Sequence, residues 1–214
     1  MTESATGIIL RTRPLTETSL IIHWLTRDLG RVATVAKGAR RPKSPFAGKL
    51  DLFYAADFSF SRSRSSDLHN LREVNLRKTH GAVREDMVKL QQAAYAANLI
   101  EQTTETETPL QEIFELTDGF FDWLCQRDPR PDNIIALEIK LLCELGLAPD
   151  LNETRLTPGA KKIVLAMLES DWAGIARIGL SPAQIAELRQ WLHGFLLFHL
   201  GRLPKGRGTV LGVP

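Results

Sequence analysis

The spacing of hydrophobic positions changes near residue 80. Before it, short apolar or alternating runs recur at Gly7 to Thr12, Thr18 to Thr26, Arg31 to Lys37, Leu52 to Phe60 and Leu68 to Leu76. In the third run Val32, Thr34 and Ala36 share one face, and Arg27 to Gly30 supplies a turn ahead of it. Five short strands at this spacing predict a small barrel or sandwich rather than a parallel sheet. An OB-fold has five strands and about this length.

After His80 the period becomes helical. Val83, Met87, Leu90, Ala94, Ala97 and Ile100 form one stripe, and Leu110, Ile113, Phe114, Thr117, Phe120, Phe121 and Leu124 form a second. Between them Thr103 to Thr108 (TTETET) is polar and acidic and reads as a loop, with Glu105 and Glu107 as a solvated face. Ile134 to Leu145 is apolar around most of its circumference, as in a central buried helix, with Gly146 at its C-terminal end. Pro158 to Glu169 and Ser181 to Leu200 predict two more helices, the latter with Ser181 as N-cap and Pro182 in the first turn. Gly201 to Pro214 is rich in glycine and proline and reads as an irregular tail. The expected fold class is α+β: a five-stranded β-barrel module over residues 1–80, for which the OB-fold is the candidate, then an all-α helical domain over 81–214.

Charge sharpens this division. The net charge of +2 hides a split: residues 1–80 carry 14 Lys+Arg against 7 Asp+Glu, and residues 81–214 carry 13 against 18. A basic barrel beside an acidic helical half implies that the first half meets a polyanion. Cys125 and Cys143 both fall in helical, apolar stretches and read as small core residues in a reducing compartment. The first residues have no signal-peptide character and no run is long and apolar enough for a membrane span, so a cytoplasmic location is expected.

The chemistry concentrates between Leu29 and Leu50, which hold six cations and no acid: Arg31, Lys37, Arg40, Arg41, Lys43 and Lys49. Gly38 lets the chain turn, and Pro42 and Pro45 limit fraying. Such a loop focuses positive potential, and like charges at this density repel unless an anion meets them. Arg62 and Arg64, in the polar tip Ser61 to Asp67, add a second basic element. These eight residues are the candidate nucleic-acid contacts. Of the aromatics in this half, Trp24, Phe53, Tyr54, Phe58, Phe60 and His69 read mainly as packing. Phe46 stands out because it lies inside the basic loop.

Several segments resemble the RecO family: Gly7 to Arg13 (GIILRTR), Glu17 to Ile21 (ETSLI), above all Ala36 to Ser44 (AKGARRPKS), and further on Leu141 to Asp150 (LLCELGLAPD) and Leu200 to Lys205 (LGRLPK). The resemblance spans most of the chain in the right order. It implies an N-terminal OB-fold and a C-terminal helical domain. It also implies binding of single- and double-stranded DNA, annealing of complementary strands, and partnership with RecR. Contact with the C-terminal tail of the single-stranded DNA-binding protein (SSB), indirect action on RecA and a nucleoid-associated location follow as well. Two departures are visible. Leu151 to Lys162 lacks the cysteines that hold zinc in many members, and His23, His69, His80, His193 and His199 show no ligand spacing, so no metal and no cofactor are expected. Gly206 stands where a serine is expected.

No phosphate loop of the Walker type, nucleophile elbow or His-Glu-x-x-His segment is present, so the expectation is a binding protein rather than an enzyme. Two other readings fit the same residues: an OB module for RNA, and an adaptor whose cations face an acidic protein partner. Lys161, Lys162, Arg177 and Arg189 are candidates for receiving an acidic-apolar peptide in the helical half.

Overall fold

The computed structural model describes residues 2–212. Five strands, β1 (Thr2–Pro14), β2 (Leu20–Thr26), β3 (Gly30–Ala36), β4 (Ala55–Ser61) and β5 (Leu68–Lys78), close into a barrel in the order β1-β2-β3-β5-β4. Closure depends on the length of β1. Its Thr2–Ile8 stretch pairs with β4, and Gly7–Pro14 pairs with β2. The β3–β5 pairing alone is parallel.

Alternation sends Ile9, Ile22, Trp24, Val32, Phe58, Phe60 and Val74 into one core. The Trp24 ring stacks on Phe58 at 4.1 Å, and its indole N–H donates to Thr34 Oγ1 at 2.9 Å, so the one polar atom of that ring is satisfied. The fourth strand starts at Ala55, later than the apolar run from Leu52 predicts. The chain turns first: buried Phe53 takes φ +66°, its N–H donates to Ile9 O at 2.8 Å, and Ile9 N–H donates to Tyr54 O at 2.9 Å. Burial of the ring and the paired backbone hold this uncommon conformation in place.

Seven helices follow: α1 (Met87–Thr103), α2 (Gln111–Gln126), α3 (Pro131–Glu144), α4 (Pro158–Glu169), α5 (Trp172–Ile175), α6 (Pro182–Leu200) and α7 (Arg207–Val210). The described chain divides into two compact units. One comprises residues 1–81 and 104–118, and the other 82–103 and 119–214. In the first unit, Thr106 forms a β-bridge with Arg31. Gly30 is what allows this approach: a Cβ there would stand 1.9 Å from Thr108 O.

In the second unit α3 is the buried centre, with both flanks apolar and Glu138 fully buried among them. Arg207 Nε and Nη2 donate to Glu138 at 2.7 and 2.8 Å, and the Tyr95 hydroxyl donates to it at 2.5 Å. Burial, then the Glu138 charge, raises the Tyr95 phenol well above its ordinary value. The tail is therefore not simply irregular: Gly206 to Leu211 contains a helical turn whose Arg207, Val210 and Leu211 are buried. Ser181 and Gln184 form a reciprocal capping box on α6, and Gly201 ends it in the left-handed region. The cysteines are less buried than their sequence context suggests. Cys125 is half-buried, and Cys143 is exposed in the last turn of α3, where the buried face of that helix runs out.

Candidate nucleic-acid interface

The basic loop leaves the end of β3 as a chain of tight turns. Ala39 N–H donates to Ala36 O at 3.3 Å, Arg41 N–H to Gly38 O at 3.1 Å, Ser44 N–H to Arg41 O at 3.1 Å, Ala47 N–H to Ser44 O at 3.1 Å and Lys49 N–H to Phe46 O at 3.0 Å. Two further attachments fix it to the barrel. Arg40 N–H donates to Thr18 O at 3.0 Å, in the β1–β2 turn, and Phe46 inserts its ring into the barrel core at 7% exposure. Phe46 is thus a packing residue, not the exposed ring that its place in the basic loop suggests. With the backbone pinned, Lys37, Arg40, Arg41 and Lys43 project outward, and Lys49 is half-buried. Among the described residues none of the five forms an ion pair with a carboxylate.

The other three predicted cations lie elsewhere. Arg31 is the second residue of β3, and six residues of rise separate it from Lys37 by about 20 Å. Its guanidinium donates to Thr104 Oγ1 at 2.8 Å and Thr104 O at 2.5 Å. The hairpin tip between β4 and β5 belongs to the same end of the barrel, because Leu68 pairs with Ala33 and Ser61 with Thr2. There Arg62 donates to both oxygens of Glu3, at 2.8 and 3.0 Å, and to Glu107 at 2.7 Å. Glu107 also meets His69 Nε2 at 2.8 Å. These contacts hold both carboxyl groups below their ordinary values, Glu107 first through His69 and then Arg62, Glu3 through Arg62. Glu107 is accordingly a clasp rather than a solvated face. Arg64 is exposed at the same tip.

Sequence reasoning passed over a further basic surface on the outer face of β1 and β2. A β-bulge explains it. Ile9 pairs with Trp24 but Arg11 pairs with His23, so Leu10 is the extra residue. Uninterrupted alternation from Ile9 would send Arg11 and Arg13 into the core, and the bulge turns both out. Arg13 Nη2 stands 3.1 Å from His23 Nε2. Partial burial, then Arg13, Arg11 and Arg31 in that order, lowers the His23 pKa to about 4.

The barrel half offers few rings for base stacking. Trp24, Phe46, Phe53, Phe58, Phe60 and His69 are all buried, and Tyr54 is partly buried against the core. In the helical unit, a cavity of about 430 Å³ lies between α6 and the tail, lined by Arg189, His193, Gln190, Ala186, Leu203 and Leu211 among others. Among the described residues no three His, Cys, Asp or Glu side chains gather as a metal site, and no helix is long and apolar enough to cross a membrane.

A closed barrel of the OB type bearing a stiffened cationic loop, with helices after it, defines the class: an OB-fold protein with a helical C-terminal part. The family description "Recombination protein O N terminal" matches residues 1–80, and "Recombination protein O C terminal" matches residues 84–157. The chain belongs to the RecO family. Among similar proteins, DNA repair protein RecO of Anaeromyxobacter sp. (strain K) is 29% identical over 231 residues, covering 92% of this chain and 91% of that one. That of Rhodopirellula baltica is 32% identical over 143 residues, covering 67% and 53%. That of Symbiobacterium thermophilum is 34% identical over 149 residues, covering 68% and 57%.

Proposed function

We propose that this protein is a non-enzymatic recombination mediator that grips DNA on the loop from Lys37 to Lys49. It binds single and double strands, anneals complementary strands and, with RecR, assists RecA loading on DNA coated by SSB. It works in the cytoplasm at the nucleoid. The observation that carries this reading is the set of five cations without carboxylate partners on a pinned loop. Each phosphate they neutralise releases counterions, which supplies sequence-independent affinity. Annealing needs no catalytic side chain. It needs a surface that lowers the repulsion between two polyanions while their bases stay free to pair. Burial of most barrel rings favours this, since it leaves few platforms to hold bases.

Arg64 belongs with the site as an exposed outlying cation, whereas Arg31 and Arg62 serve the barrel's own structure. The acidic-apolar tail of SSB fits the cavity beside α6, which Arg189, His193, Leu203 and Leu211 help to line. Arg189 is therefore preferred over Lys161, Lys162 and Arg177.

The test is strand annealing with complementary DNA oligonucleotides and with RNA of the same sequence. The wild type should accelerate DNA annealing, and Arg40→Glu/Arg41→Glu/Lys43→Glu should abolish it while leaving the thermal unfolding curve in place. Faster action on RNA would move the assignment to an RNA module. No DNA affinity at about 50 mM salt would move it to a protein adaptor.

A further inference from the structure

We propose that Arg13 and His23 form a second phosphodiester site on the outer face of the barrel, one that is occupied together with a proton. The inference rests on the reading of the barrel as a DNA-binding surface, and its occupant is the backbone of the strand seated on the basic loop. Continuity supports that choice. The turn after Arg13 is the one that receives the Arg40 amide on Thr18 O and the Arg40 guanidinium on Thr16 O. The loop and the Arg13 face therefore adjoin.

The geometry explains the proton. An arginine has no acceptor, so at 3.1 Å the Arg13 guanidinium donates and His23 Nε2 must accept, with the ring neutral and its hydrogen on Nδ1. Three arginines bear on the ring: Arg13 and Arg11 from β1, and Arg31 from β3, whose Ala33 lies directly opposite His23. In the free protein partial burial, and then this field, keep the ring uncharged, with a pKa of about 4. A proton taken from solvent onto Nε2 breaks the Arg13 hydrogen bond and leaves two donors facing each other. A phosphate oxygen is an acceptor that can take both, and its charge offsets the arginines. Bound protein then holds one more proton than free protein, so affinity must rise as pH falls.

The probe is a fluorescein-labelled oligo(dT), titrated by anisotropy at constant salt with wild type and His23→Gln. Between about pH 7 and about pH 5.5 the wild type should tighten about five- to tenfold, and the variant less than about twofold. Proton NMR of the imidazole Cε1–H signals gives a second readout: the His23 titration midpoint should rise when the oligonucleotide is added. Equal pH dependence in wild type and variant, or an unmoved His23 midpoint, overturns the proposal while leaving the loop site standing. Absence of wild-type binding at every pH removes both.

Discussion

Glu107 holds Arg62 at 2.7 Å from across 45 residues of sequence, inside the same compact unit. The acidic tract that reads as a solvated loop thereby neutralises a cation that reads as a DNA contact. Arg62→Ala should leave DNA affinity within about twofold of wild type, since one exposed, already paired cation contributes little to phosphate binding. The loss of stability should stay below about 1 kcal/mol, as for other exposed ion pairs. Anisotropy titration and urea denaturation of the same variant check both statements.

The same clasp has a pH signature. Glu3 and Glu107 are held below their ordinary carboxylate values in the folded state. A depressed carboxylate contributes stability above its unfolded pKa, near about 4, and loses it as pH falls through the folded value. Wild type should therefore exceed Glu107→Gln in urea midpoint at neutral pH, and the gap should close below about pH 4. A gap that widened on acidification would contradict the ion-pair account.

Burial makes the Glu138–Arg207 pair a different case. Both side chains are at or below 6% exposure, so removing one leaves an uncompensated charge in the helical core. Arg207→Ala should cost about 3 to 5 kcal/mol. Replacing both, as Glu138→Leu with Arg207→Met, should recover most of it, because the charge to be buried has gone. Urea denaturation of the single and double variants measures the difference.

Most barrel rings face inward, so binding should follow phosphates rather than bases. A base-stacking platform contributes about 1 to 3 kcal/mol per base, and its loss would weaken an abasic strand tenfold or more. An oligonucleotide with abasic positions should instead bind within about threefold of its parent. Competition anisotropy between the two strands decides it.

The barrel-then-helices order was legible because the hydrophobic period changes, and the loop was legible because six cations stand together without an acid. What stayed hidden depends on contacts far apart in sequence or on backbone irregularity. The clasp on Arg62 needs Glu3 and Glu107, 59 and 45 residues away. Docking of the tail needs Glu138, 69 residues before Arg207. Phe46 reaches the core only because successive turns fold the loop back over the barrel. Arg11 and Arg13 face outward only because Leu10 is bulged, and period counting has no term for one extra residue.

The gripping surface itself is tested most directly by the salt dependence of single-strand affinity. Five cations on phosphates predict a slope of log K against log salt of about −3.5 for the wild type. Arg40→Glu/Arg41→Glu/Lys43→Glu should flatten it by about 2 and weaken binding at low salt. The same slope and the same affinity in both proteins would contradict the account.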